Sequence, residues 1–143
     1  MSRACRWVLG GALIALAAWG GAGKGPVLHL VSQSYDFTIQ PSDLPPHARE
    51  TITYKITVRD RKSQAPIDNG EGQIFADMGQ AEGPHTWDAL AASPELGTYR
   101  ANLNFTVAGQ WAMAVRFRQD SLHPLERVDW MQDIFNERPD STP

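Results

Sequence analysis

The chain predicts an all-β fold, an antiparallel sandwich flanked by a helix at each end. Three observations carry this. Residues 97–118 hold two strongly alternating stretches joined at Ala108-Gly109, the period of two that half-buried strands require. Residues 50–59 alternate just as cleanly. Turn-forming Gly, Pro and Asn-Gly steps punctuate the sequence, and no helical periodicity is convincing between residues 35 and 118.

Taken in order, residues 1–24 read as an N-terminal transmembrane anchor. Arg3 and Arg6 precede an uncharged run over residues 7–23, which ends at Lys24. Its apolar side chains include Trp7, Leu9, Leu13, Ile14, Leu16 and Trp19. Seventeen residues at about 1.5 Å rise lie at the lower limit for crossing about 30 Å of hydrocarbon. The run is also long for a signal-peptide core, although Gly20-Gly21-Ala22 offers a cleavage site, so retained anchor and removed signal both stand. The two tryptophans bracket the run as interface aromatics do, and the leading arginines put the N-terminus in the cytoplasm and the domain outside. The predicted location is the inner (cytoplasmic) membrane with a periplasmic domain.

Residues 25–34 read as a linker, and the sandwich is expected over residues 35–118. Tyr35, Phe37 and Ile39 alternate in the first strand before Pro41, Pro45 and Pro46 stop it. In the next, Ile52, Tyr54, Ile56 and Val58 share one face while Thr51, Thr53, Lys55, Thr57 and Arg59 share the other. Asp68-Asn69-Gly70 is a turn, because Asn and Gly tolerate positive φ. A strand follows over residues 72–78. Residues 79–94 then lose alternation and read as a long loop holding a short strand near residues 86–90. In the pair at 97–118, Tyr99, Ala101, Leu103 and Phe105 face inward, as do Trp111, Met113, Val115 and Phe117. Short strands at this spacing indicate an immunoglobulin-like architecture.

Residues 119–143 form an extension. Within it, residues 125–138 predict one short amphipathic helix, with Leu125, Val128, Met131, Ile134 and Phe135 at three- and four-residue intervals, Trp130 beside them, and Pro124 and Pro139 at its ends. Acidic Glu126, Asp129, Asp133 and Glu137 on its polar face disfavour anionic lipid. Val128, Trp130, Met131, Ile134 and Phe135 are therefore expected either to dock on a partner or to pack back on the sandwich. Trp, Met and Phe are enriched at interface cores.

Composition excludes several classes. A 143-residue chain with 42% hydrophobic residues has room for one domain plus appendages. A net charge of -3, with its basic residues scattered, leaves no footprint for nucleic acid. The single cysteine, Cys5, precedes the hydrophobic run, so the domain has no thiol for redox or metal chemistry. No serine lies in a Gly-x-Ser-x-Gly context, and no nucleophile, base and orienting group assemble from the spacing, so no enzyme activity is expected.

A set of markers runs through residues 35–118: a Thr-rich strand entering an Arg-Asp turn, Ala65-Pro66, a strand ending at Met78-Gly79, the Gly83-Pro84-His85 loop, Gly97-x-Tyr99 and Gly109-x-Trp111. In these the chain resembles the YtkA-like and FixH-like group of membrane-anchored, exported β-sandwich domains. The resemblance implies a helper role around membrane respiratory complexes or in copper handling, without catalysis. Where that group tends to carry Met-Pro and a His/Met-rich loop, this chain has Met78-Gly79 and a single His85.

The expected function is a non-catalytic accessory or structural subunit of a membrane electron-transfer complex, of respiratory oxidase or photosynthetic reaction-centre type. Its partners would be subunits of that complex, and it would need no cofactor. The alternative is a periplasmic copper-binding or copper-delivery module. Copper accepts the thioether and imidazole of Met78 and His85, but two donors fall short of a coordination sphere.

Overall fold

A computed structural model describes residues 27–139. The anchor residues Trp7, Leu9, Leu13, Ile14, Leu16 and Trp19 lie outside the described residues. Nine strands follow one another: β1 (Leu28–Val31), β2 (Tyr35–Pro41), β3 (Thr51–Asp60), β4 (Glu71–Asp77), β5 (His85–Ala89), β6 (Ala91–Ala92), β7 (Thr98–Asn104), β8 (Gly109–Arg118) and β9 (Glu126–Ile134). They form two antiparallel sheets, one in the order β1-β2-β3-β7-β6 and the other β5-β4-β8-β9. The described residues contain no helix.

The core is the space between the sheets, filled by the alternate residues that the period of two assigns to it. Ile52, Tyr54, Ile56 and Val58 of β3 are buried, as are Trp111, Met113, Val115 and Phe117 of β8. Phe117 receives Tyr35, Tyr99 and Phe37 edge-on, at centroid distances of 5.1, 5.4 and 6.1 Å. Trp111 packs on Phe105 at 5.1 Å and donates its indole N–H to the Val107 carbonyl. Buried tyrosines need partners for their hydroxyls. Tyr99 donates to the Ile67 carbonyl at 2.7 Å and accepts from the Gly70 N–H at 2.9 Å, while Tyr35 accepts from Gln119 N–H at 3.0 Å. Gly97 enters β7 at φ 68, and a Cβ there would come within 2.7 Å of Pro66 and 3.0 Å of the Val58 carbonyl, so no larger residue fits.

Four expectations are corrected. The predicted C-terminal helix is strand β9, paired with β8 from Gly109↔Ile134 to Phe117↔Glu126. The residues at three- and four-residue intervals therefore divide between two faces. Val128 and Ile134 point into the core with half-buried Trp130, whereas Met131 and Phe135 point out. Second, residues 28–31, read within a linker, form β1 because Leu28 and Leu30 alternate onto the edge of β2. Third, the stretch read as a loop with one short strand holds both β5 and β6. Fourth, β7 and β8, adjacent in sequence and joined by only four residues, belong to different sheets. Their connection crosses between layers, which lets both strands present their apolar faces to the same core.

Candidate docking surface

The outer face of the four-stranded sheet gathers aromatic and arginine side chains. Register sets Phe75 of β4 opposite Trp87 of β5 and Ala114 of β8. It also sets Gln73 opposite Arg116 and, one strand further, Arg116 opposite Arg127 of β9. Two guanidinium groups lie over the Phe75 ring, Arg116 at 5.0 Å and Arg127 at 4.9 Å from its centroid, within the range of cation–π attraction. Ala114 is only 1% exposed although it sits on an outward face.

Trp87 is left 62% exposed. Together with Phe75, Arg116, Asp77 and His85 it lines a shallow depression of about 300 Å³. The Arg127 guanidinium is held by Asp129 at 2.6 Å, a hydrogen bond that raises its already high pKa. Arg116 has no carboxylate partner among the described residues. An exposed indole beside a stacked, unneutralised guanidinium is the composition of an interface anchor.

The open side of the sandwich, between β1 and β9, carries a second feature. Strand β9 is tied to the other sheet at both ends. At one end the Glu126 carboxylate accepts from the Ser32 hydroxyl at 2.7 Å and the Ser34 N–H at 2.8 Å. Burial works against the charge of Glu126, but these hydrogen bonds prevail and hold its pKa below the usual glutamate value. At the other end Phe135 exchanges backbone hydrogen bonds with Ala48 N–H and the Pro46 carbonyl, both at 2.9 Å. Between the two ties lies an apolar cleft of about 250 Å³, lined by Val27, Leu44, Tyr54, Trp130 and Met131 among others. Tyr54 is 1% exposed and its buried hydroxyl has no hydrogen-bond partner. Burial alone raises its pKa.

The predicted site residues fall as follows. Of the five on the C-terminal extension, Val128 and Ile134 belong to the core, Trp130 and Met131 border the cleft, and Phe135 is half exposed beside His47. Met78 and His85 flank the β4–β5 connection, where Asp77 and His85 are in register. Met78 packs against the core while His85 is exposed, its Nδ1 3.3 Å from the Gly83 carbonyl. Among the described residues no three His, Cys, Asp or Glu side chains cluster to hold a metal ion. Phe75, Trp87, Arg116 and Arg127 were not singled out from the sequence. Alternation of Trp87 and Ala89 with polar Thr86 and Asp88 in β5 reads as an inward tryptophan, the reverse of its exposed place, so no sequence signal identifies it.

A protein-family model described as YtkA-like matches residues 29–116, more than half of the chain and the whole span from β1 to most of β8. No curated protein and no solved structure matches the chain.

Proposed function

The chain belongs to the YtkA-like family, and on that premise we propose that it is a non-catalytic accessory subunit of a membrane electron-transfer complex. In this proposal an N-terminal helix anchors it in the inner membrane, and an immunoglobulin-like domain in the periplasm docks on the larger assembly. The observation that carries docking is the outer face of the β5-β4-β8-β9 sheet, where Trp87 stands 62% exposed beside Arg116 stacked on Phe75. An aromatic of that size left largely in solvent is suited to a partner's pocket. The strand order, with β8 between β4 and β9 and β7 between β3 and β6, supports the immunoglobulin-like assignment. The electron-transfer assignment rests on the likeness to FixH-like domains in the Gly97-x-Tyr99 and Gly109-x-Trp111 markers.

Isolation of the full chain from native membranes in mild detergent, with mass spectrometry of everything that travels with it, tests the proposal. Cytochrome or reaction-centre subunits should co-purify. Their recovery should fall about tenfold or more with Trp87→Ala, in keeping with loss of an interface anchor worth over about 1.4 kcal/mol. A lone monomer under all conditions overturns the proposal.

A further inference from the structure

We infer that the open side of the sandwich faces the lipid bilayer, with Val27, Leu44 and Met131 seated at the interface of zwitterionic lipid; this rests on the membrane-anchored reading of residues 7–23. The first support is geometric. Val27 lines the β1–β9 cleft and follows the last residue of the apolar run, Gly23, by four positions. Four residues reach at most about 14 Å when fully extended. With the run in the membrane, Val27 cannot stand further than that from the end of the anchor, and the headgroup layer itself occupies about 5–7 Å on each side. The short tether therefore holds Val27, at the rim of this cleft, close to the membrane surface.

The second support is what the tether delivers there. Val27 and Leu44 are each 37% exposed, Met131 is 56% exposed, and half-buried Trp130 lines the same cleft. Phe135, 51% exposed, follows β9 directly. Apolar side chains of this size with an indole among them match the composition of protein surfaces at the membrane interface. Charge then selects the lipid. Asp43 precedes Leu44, and Asp133 lies beside Met131 on the outward face of β9, where Asp129 is already paired with Arg127. The nearby Arg49–Glu137 and Arg138–Glu50 pairs are already neutralised. Carboxylates around an apolar patch repel anionic headgroups and leave phosphatidylcholine-like or phosphatidylethanolamine-like lipid as the favoured surface.

The experiment uses the full chain with Cys5→Ser, reconstituted in phosphatidylcholine vesicles, and an environment-sensitive fluorophore on Leu44→Cys, Met131→Cys or Ser63→Cys. Ser63 is exposed in the turn after β3, at the end of the sandwich remote from Leu44. Nitroxide attached to the upper part of the lipid chains should quench the Leu44 and Met131 labels at least threefold more than the Ser63 label. That difference should shrink by about half in vesicles rich in phosphatidylglycerol. Equal, weak quenching at all three positions in protein that floats with the vesicles overturns the inference and leaves the anchor standing. Protein that fails to float overturns the anchored reading itself, and the inference with it.

Discussion

Tyr99 and Tyr54 lie on neighbouring strands of one sheet and are equally shielded from solvent, at 1% exposure each, yet their hydroxyls meet opposite conditions. Tyr99 sits where the chain closes over the core. Its hydroxyl bridges Ile67 and Gly70, and its ring packs on Phe117. Tyr54 borders the cleft between β1 and β9, and its hydroxyl has no partner. Strand pairing is not what differs, since β3 and β7 each have a neighbour on both sides. Tyr99 is capped by residues 67–70, whereas Tyr54 borders the side where β1 and β9 leave the two sheets open. At the unfinished edge, polar atoms are left over and apolar side chains stay in solvent. The closed region accounts for stability, and the open one is where this domain has surface to offer.

The sharpest test of that contrast is Phe117→Ala, which removes the ring at the centre of the Tyr35, Phe37 and Tyr99 cluster. A buried Phe to Ala change costs about 3–5 kcal/mol, and thermal or denaturant unfolding should register it in full. A loss under about 1 kcal/mol would mean that the closed region is not the stability core. Next in size is Tyr99→Phe. It strips the partner from the buried Ile67 carbonyl and from the Gly70 N–H in the turn, and should cost about 1–3 kcal/mol, read as a lower denaturant midpoint with unchanged slope.

Glu126→Gln probes the seam between the two regions, where the carboxylate ties β9 to the β1–β2 turn. Because hydrogen bonds hold the folded pKa below the unfolded value, the charge stabilises the fold at pH values above the ordinary glutamate range, about 4.3. That contribution is lost as pH falls through the folded pKa. The variant should therefore melt below the parent chain at neutral pH, and the two melting curves should converge as the pH is lowered to about 3. A gap that persists unchanged into acid would refute the tie.

The same contrast explains which parts of the fold were legible in the sequence. Strands β3, β7 and β8 were readable because every second residue is apolar, and local alternation alone determines which face they bury. β9 was not, because Gln132 interrupts its inward row. The remaining apolar residues, Val128, Met131, Ile134 and Phe135, then imitate helical spacing. What makes this segment a strand is nonlocal: nine residues of β8 with an otherwise unpaired edge. Sheet assignment was hidden for a similar reason, since Ala108-Gly109 looks like a hairpin while the pairing partners of β7 and β8 are β3 and β4, tens of residues away. The outer face was not legible. Trp87 alternates with polar Thr86 and Asp88 and so reads as inward, the reverse of its place, and the approach of Arg116 and Arg127 to Phe75 requires the register of three strands.

The smallest expected change separates the regions most cleanly. Tyr54→Phe deletes a hydroxyl that is buried and unpaired, so no hydrogen bond is broken, no carbonyl is orphaned, and the ring keeps its place in the core. An unsatisfied buried polar group costs about 1–3 kcal/mol, part of which the substitution returns. The variant should be as stable as the parent or up to about 1 kcal/mol more stable, whereas the same chemical change at Tyr99 destabilises. Chemical denaturation of the two variants side by side makes the comparison independent of protein preparation. Were Tyr54→Phe to lose as much stability as Tyr99→Phe, the Tyr54 hydroxyl would have to be partnered in solution, by water or by a group reaching in through the cleft. The β1–β9 side would then be as complete as the closed one.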